Sequence, residues 1–273
     1  MNRCAVTRRE WMGLRSGFQR SAVMKKFLEK GNDMQPGVLA IETRGLEKQF
    51  GFFPVLKGID LTVEQGGFLT VFGPNGAGKS TLLSILSTFI KPGGGEAFVA
   101  GFDVSREKQR IRKLIGFISH NTMLYENLTA WENLEFIGAF YDVPDFKKRC
   151  SDILERVELY AKKDVLVSTL SFGTRQRLAI ARTLLHDPQI LFLDEPYSGL
   201  DYGGAAILTS ILGSMKADKT VVMTTHNVYE GLSLCDKVAI LDQGEVVYAS
   251  AQKPAREEFQ DIYMSCVRSG DGQ

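Results

Sequence analysis

The nine residues Gly73 to Thr81, "GPNGAGKST", constrain this chain more than any other stretch. They fit the pattern Gly-x4-Gly-Lys-Ser in full and stand between a strand-like run, "FLTVF", and a helix-like run, "KSTLLSIL". Strand, glycine-rich turn and helix in that order predict a loop whose backbone N–H groups close around an anion. The helix N-terminus adds partial positive charge. Gly73, Gly76 and Gly78 give the turning freedom, and Pro74, Asn75, Ala77 and Thr81 complete the cradle. Lys79 would reach the outer phosphates of a nucleotide, and the Ser80 hydroxyl would coordinate Mg²⁺. Average composition gives a chance match about one time in a hundred for a chain this long, so a plain glycine-rich turn explains the stretch poorly.

From Leu39 onward, short β-rich runs ("LAIET", "FLTVFG", "EAFVAG", "LIGFIS", "ILFLDEP", "TVVMTT", "KVAILD") alternate with helical patterns. Ile190–Leu193 and Val221–Met223 are apolar without alternation and read as strands buried on both faces. Helices are predicted over Lys79–Phe89, Gln176–His186 and Tyr202–Ala217, and "LLSILSTFI" (Leu82–Ile90) as a buried helix. The front of the chain, "LAIETRGLEKQF" through "LKGIDLTVEQGG", reads as antiparallel β structure. Between Asn121 and Thr169 the pattern turns helical, with Trp131, Leu134, Ile137 and Gly138 at helical spacing, and Ile153, Leu154, Val157 and Leu159 approximately so. A helical insert thus interrupts a parallel-sheet core.

Asp194 and Glu195 end the apolar strand "ILFLD", where two adjacent carboxylates are costly to desolvate without cationic partners. In an open α/β sheet the carboxyl ends of strands face the ligand crevice. Asp194 would therefore hold Mg²⁺, and Glu195 would orient or deprotonate an attacking water. His226 ends a second apolar strand and is one of three histidines in the chain; there it would sense the terminal phosphate. Ser171 and Gly173 open an Arg-rich helix, "LSFGTRQRLAIAR", in which Ser171 is a suitable N-cap and the free N–H groups form a second anion site. A second phosphate site needs a second nucleotide or a second protomer.

This ordered set resembles the nucleotide-binding subunits of ABC transporters over about Leu39 to Ala249. The resemblance implies an α/β fold: a P-loop NTPase cassette with an antiparallel β portion, a parallel-sheet core and an inserted helical subdomain. Gly73–Ser80 matches the Walker A loop and Ile190–Asp194 the Walker B strand. Glu195 matches the catalytic glutamate, Ser198–Asp201 the D-loop, and His226 the switch histidine. Phe50 matches the aromatic that stacks on adenine. The implied catalytic set is Glu195, His226 and Lys79, the metal set Ser80 and Asp194, and the cofactors ATP and Mg²⁺. The implied assembly is a homodimer closed head to tail on ATP, with an integral membrane permease as partner, at the cytoplasmic face of the membrane. Ser171, Gly173 and Asp201 would then face the partner protomer's nucleotide.

Two departures stand out. The signature usually reads Leu-Ser-Gly-Gly-Gln, whereas Phe172 and Thr174 occupy its third and fifth positions here. His120 stands where the resembled subunits carry a Gln. Imidazole suits Mg²⁺ badly, so Asn121 or a water would take over that contact. The stretch "SHNTMLYENLTAWENLEFIGAFYDV" is similar to ATP-binding subunits of haem exporters for cytochrome c maturation and to those of drug exporters. The alternative is a soluble ABC-type ATPase in cofactor assembly.

Basic and acidic residues nearly cancel, 33 against 32, which argues against a nucleic-acid partner. Cys4, Cys150, Cys235 and Cys266 lie far apart, which suits a reducing compartment rather than a disulfide framework. No apolar run approaches the roughly 20 residues of a membrane span. Residues 1–37 form a basic leader, expected to be mobile and dispensable, with Met34 as an alternative start. Residues 38–250 then form the cassette, with a helical subdomain at about 121–185, and 251–273 a tail.

Overall fold

The computed structural model describes residues 39–119, 121–216 and 218–268. The basic leader with Cys4, His120 and the extreme C-terminus lie outside the described residues.

Two sheets carry the fold. Strands β1 (Leu39–Phe50), β2 (Phe53–Glu64), β4 (Gly94–Val99) and β5 (Phe102–Asp103) make an antiparallel sheet in the order β2-β1-β4-β5. The β1–β2 hairpin closes with Phe50 opposite Phe53. The second sheet contains β3 (Phe68–Phe72), β6 (Ile115–Ile118), β7 (Ile190–Asp194), β8 (Thr220–Thr225), β9 (Lys237–Asp242) and β10 (Glu245–Ser250), in the order β10-β9-β3-β8-β7-β6. All its pairings are parallel except β9–β10.

The unbroken apolar runs follow from this layering. In β7, Ile190 and Phe192 join a core between the two sheets, which also holds Leu69, Val71, Leu82 and Leu83. Leu191 and Leu193, one residue out of phase, join a second core on the other face with Phe68, Phe72 and the helices. Every residue of β3, β7 and β8 is buried. A strand with both faces covered has no solvent side to make polar, so alternation disappears.

Helix α1 (Lys79–Leu86) follows the phosphate loop, and α2 (Lys108–Leu114) leads into β6. The inserted helices are α3 (Ala130–Phe140) and α4 (Phe146–Arg156), followed by α5 (Phe172–Leu184). A reciprocal capping box, Thr129 with Glu132, starts α3. Leu134, Gly138, Ile153 and Leu154 face inward. Val157 and Leu159 are also buried, but they lie past the end of α4 rather than on it. Helices α6 (Tyr202–Met215), α7 (Val228–Leu234) and α8 (Arg256–Arg268) follow among the described residues. Phe259 of α8 is buried against Phe72, ring centroids 4.6 Å apart.

Two expectations are corrected. The apolar run Leu82–Ile90 is helical only to Leu86, because Thr88 adopts a left-handed φ of 67°. Its hydroxyl and carbonyl accept hydrogen bonds from Arg112 at 2.9 and 3.3 Å, which fixes the turn. Helix α5 runs Phe172–Leu184 rather than Gln176–His186, and the N-cap expected at Ser171 is the start it takes. Among the described residues no helix is long and apolar enough to cross a membrane.

Candidate active site

Three neighbouring parallel strands end at one edge of the sheet. In register, Phe72 pairs with Thr225, and Asp194 with Thr224. The phosphate loop leaves the end of β3, the two carboxylates leave β7, and His226 follows β8.

Gly73 and Gly78 have φ of 156° and 104°, and both are packed against backbone. A Cβ on Gly73 would run into the Leu241 carbonyl oxygen. On Gly78 it would lie 2.8 Å from Leu56 Cδ2 and 2.9 Å from the Val55 carbonyl. Gly76, at φ 83°, faces open space, so only its backbone conformation demands glycine there. The loop is braced from outside: the Gly244 N–H donates to Ala77 O at 3.1 Å, and the Lys57 N–H donates to Gly244 O at 2.9 Å. Asn75 and Gly76 are exposed, while Ala77 and Gly78 are buried beneath them.

Lys79 is 6% exposed. Its ammonium donates to the Gly73 and Pro74 carbonyls at 2.7 and 3.0 Å and lies 3.7 Å from Glu195 Oε1. Burial lowers its pKa, and the negative charges of Glu195 and Asp194 oppose that shift. The cation is thus held inside the loop by weak neutral acceptors and by one carboxylate, all of which a phosphate oxygen could replace.

Asp194 is buried, and its partners are hydroxyls. Ser80 Oγ donates to Asp194 Oδ1 at 3.0 Å, and Thr224 Oγ1 donates to the same oxygen at 2.7 Å. Ser80 is exposed. A hydroxyl and a carboxylate side by side at the mouth of the loop are hard oxygen donors, the donor chemistry that Mg²⁺ takes. The donor set fits that ion.

Glu195 sits at φ 48°, a left-handed conformation uncommon for a residue with a Cβ. Its N–H donates to Thr224 O at 3.1 Å, which fixes the turn and aims the side chain back over the sheet edge. His226 Nδ1 lies 3.1 Å from both Glu195 oxygens. Glu230 on α7 is half-buried beside this pair. Burial raises its pKa, and the Glu195 charge adds to the effect.

Lys79, Ser80, Asp194, Glu195 and His226 therefore form one connected cluster. Ser171, Gly173 and Asp201 stand instead at the starts of two helices, α5 and α6. Ser171 Oγ accepts the Thr174 N–H at 3.4 Å and starts α5; Asp201 Oδ1 accepts the Gly204 N–H at 2.7 Å and starts α6. None of the described hydrogen bonds of Ser171 or Asp201 reaches the phosphate loop. Phe50 is half-exposed at the tip of the β1–β2 hairpin, with Lys48 Nζ 5.1 Å from its ring centroid. Asn121 does not offer its carboxamide oxygen to the cluster; that oxygen accepts the Met123 N–H at 3.1 Å.

Sequence reasoning passed over Thr224 and Glu230. The signal for Thr224 lay in pairing the ends of "ILFLD" and "TVVMTT" as parallel neighbours, which sets it beside Asp194. The walls of the loop at Leu241, Gly244 and Val55 had no local signal.

A strand-edge cluster of this make-up, on this sheet order, defines a phosphate-loop ATPase. Residues 56–198, over half of the chain, match the ABC transporter family model. The daunorubicin resistance ATP-binding protein DrrA3 of Streptomyces coeruleorubidus is 37% identical over 211 residues, covering 76% of this chain and 67% of that protein. The Nod factor export ATP-binding protein I of Ralstonia nicotianae is 34% identical over 213 residues, covering 77% of this chain and 66% of that protein. Among solved structures, a dimeric ATP-binding cassette in a post-hydrolysis state with ADP and Pi superposes with a TM-score of 0.73 at 28% identity. It covers 79% of this chain and 99% of that one. The chain belongs to the ABC transporter family, as its ATP-binding, ATP-hydrolysing subunit.

Proposed function

We propose that this subunit powers an exporter, working as a homodimer bound to an integral membrane permease at the cytoplasmic face of the membrane. The observation that carries its ATP chemistry is the connected cluster Lys79–Glu195–His226 with Ser80–Asp194 at the edge of the sheet. ATP would lie along the Gly73–Thr81 loop with its adenine on Phe50, and its γ-phosphate would draw Lys79 off the Gly73 and Pro74 carbonyls. Mg²⁺, held by Ser80 and Asp194, would neutralise phosphate charge. Glu195 would take a proton from the attacking water as its oxygen bonds to the γ-phosphorus and the bond to ADP breaks. His226 would hold the Glu195 carboxylate and contact the phosphate released. Positioning and electrostatics supply most of the catalysis in such a transfer.

The starts of α5 and α6 support the dimer, because none of the described hydrogen bonds of Ser171 or Asp201 reaches this chain's own phosphate loop. Ser171, Gly173 and Asp201 would complete the site of the facing protomer, so each ATP would be held between two copies. Glu195→Gln should therefore bind ATP, fail to turn it over, and sediment as a dimer with ATP alone. A monomer at saturating ATP would end the two-protomer reading.

The names of the relatives, a drug-resistance protein and an export protein, support export. For the cargo, drug-like compounds and haem remain the two candidates read from residues 119–143. Membranes solubilised in mild detergent separate them: a Soret band in the co-purified complex supports haem, and its absence favours a drug-like cargo. We also propose that residues 38–250 act as the cassette, with 121–185 as the helical unit facing the permease.

A further inference from the structure

The position that departs most from the resembled signature is Phe172, the first residue of α5. Its ring does not simply project into solvent. A Cβ built on Gly199 would lie 2.7 Å from Phe172 Cδ1 and closer still to Cε1, so the ring lies against the Gly199 Cα. Gly199 has φ 74°. One residue further along α5, a Cβ on Gly173 would come 3.9 Å from the Gly199 carbonyl. The first turn of α5 therefore rests on the turn Ser198–Asp201.

That turn is tied in both directions. The Ser198 N–H donates to Glu195 O at 3.1 Å, and the Leu200 N–H to Tyr197 O at 3.1 Å. At its far end Asp201 caps α6. Phe172 thus sits at the end of a short chain of contacts that begins at Glu195. Phe172 is 45% exposed, and the contact with Gly199 accounts for part of what is covered.

We infer that Phe172 is a positioning residue that locks the N-terminus of α5 to the Ser198–Asp201 turn, so that both surfaces offered to the partner's nucleotide move as one body. The inference rests on the two-protomer reading. A glycine at position 172 would have no side chain to make this contact, so the lock belongs to this chain's own sequence.

The test uses the full chain carrying Glu195→Gln and reads ATP-dependent dimerisation by sedimentation. Phe172→Ala should raise the ATP concentration for half-dimerisation about 3- to 10-fold, the span that partial burial of one apolar side chain is worth. Phe172→Leu should restore part of the loss. ATP binding to the isolated protomer, read with a fluorescent ATP analogue, should not change, because the described contact of Phe172 is with Gly199 and not with the phosphate loop. Gly199→Ala should impair dimerisation more strongly with Phe172 present than with Phe172→Ala. The backbone strain of alanine at this φ is common to both backgrounds, so the difference isolates the ring contact.

Equal effects of Gly199→Ala in the two backgrounds would overturn the inference. So would a Phe172→Ala protein that melts lower yet dimerises at the same ATP concentration, since that is a purely structural role. If Glu195→Gln itself stays monomeric, the two-protomer reading fails and takes this inference with it.

Discussion

His226 Nδ1 lies 3.1 Å from both carboxylate oxygens of Glu195, although the two residues leave different strands. The parallel register of β7 and β8 brings them together, since it sets Asp194 level with Thr224. The same turn leaves Glu195 at φ 48°, a conformation kept only where its surroundings fix it. Lys79 Nζ also approaches the Glu195 Oε1 that His226 contacts, at 3.7 Å.

His226→Ala should lower the turnover rate by about 10²-fold or more, the lower range for loss of a group that aids proton transfer. ATP affinity should change little, because no loop contact is removed. Single-turnover hydrolysis together with nucleotide binding checks this. A loss of affinity equal to the loss of rate would mean that His226 serves binding instead.

Thr224→Val removes a donor to the buried Asp194 without changing side-chain volume much. Leaving a buried acceptor short of a partner costs about 1–3 kcal/mol, which should appear as a lower urea midpoint. Asp194 would then turn more fully to Ser80, and the Mg²⁺ concentration for half-maximal ATPase should shift. A stability loss with an unmoved Mg²⁺ curve would confine Thr224 to the fold.

His186 stacks on Tyr141 with ring centroids 4.0 Å apart, its Nε2–H donates to Ile115 O at 3.0 Å, and its Nδ1 is buried without a hydrogen-bond partner among the described residues. Burial lowers its pKa below the ordinary 6.5. The Ile115 carbonyl and Asp187 oppose the shift, and the charges of Arg149 and Arg182 add to it. The unfolded chain therefore takes up a proton more readily than the folded one. Stability from neutral His186 is fully present above about pH 6.5 and is lost as pH falls below it. In urea melts between pH 7.5 and 5.5, His186→Gln should be about 1 kcal/mol less stable at the upper end, for want of the stack. Its slope with pH should be shallower than that of the unmodified chain.

Cys150 and Cys235 are buried, and burial pushes the Cys150 thiol up to about 12 and Cys235 upward as well. Neither offers a thiolate near neutral pH. Iodoacetamide at pH 8 should leave the peptides carrying both residues unmodified in the native protein and label them after denaturation. Mass spectrometry reads this directly. Rapid native labelling of Cys150 would show that the α4 side of the helical insert opens.

Local chemistry made much of the site legible in advance. Gly73, Gly78, Lys79 and Ser80 were readable because one short loop does the whole task of wrapping an anion, and the task fixes residue type and spacing. Asp194 and Glu195 were readable because carboxylates that end an unbroken apolar run must face a ligand or a partner, and His226 because it ends a second apolar run. Ser171 was readable as a cap. The overrun of α1 past Leu86 came from Thr88, whose turn is set by Arg112 in another helix. Thr224 stayed hidden because a threonine in a buried strand looks like β-propensity until the neighbouring strand is known. The contact of Phe172 with Gly199 joins segments that meet only in three dimensions, and no spacing rule encodes it.

The phosphate loop borrows its outer walls from the far end of the chain: Leu241 O lies against Gly73, and the Gly244 N–H holds the Ala77 carbonyl. A ribosome completes residues 73–81 long before it reaches 244. During that interval the nascent protein displays the whole nucleotide motif without the brace that gives it shape. A chain truncated before Leu241 would carry the motif without either of these two contacts.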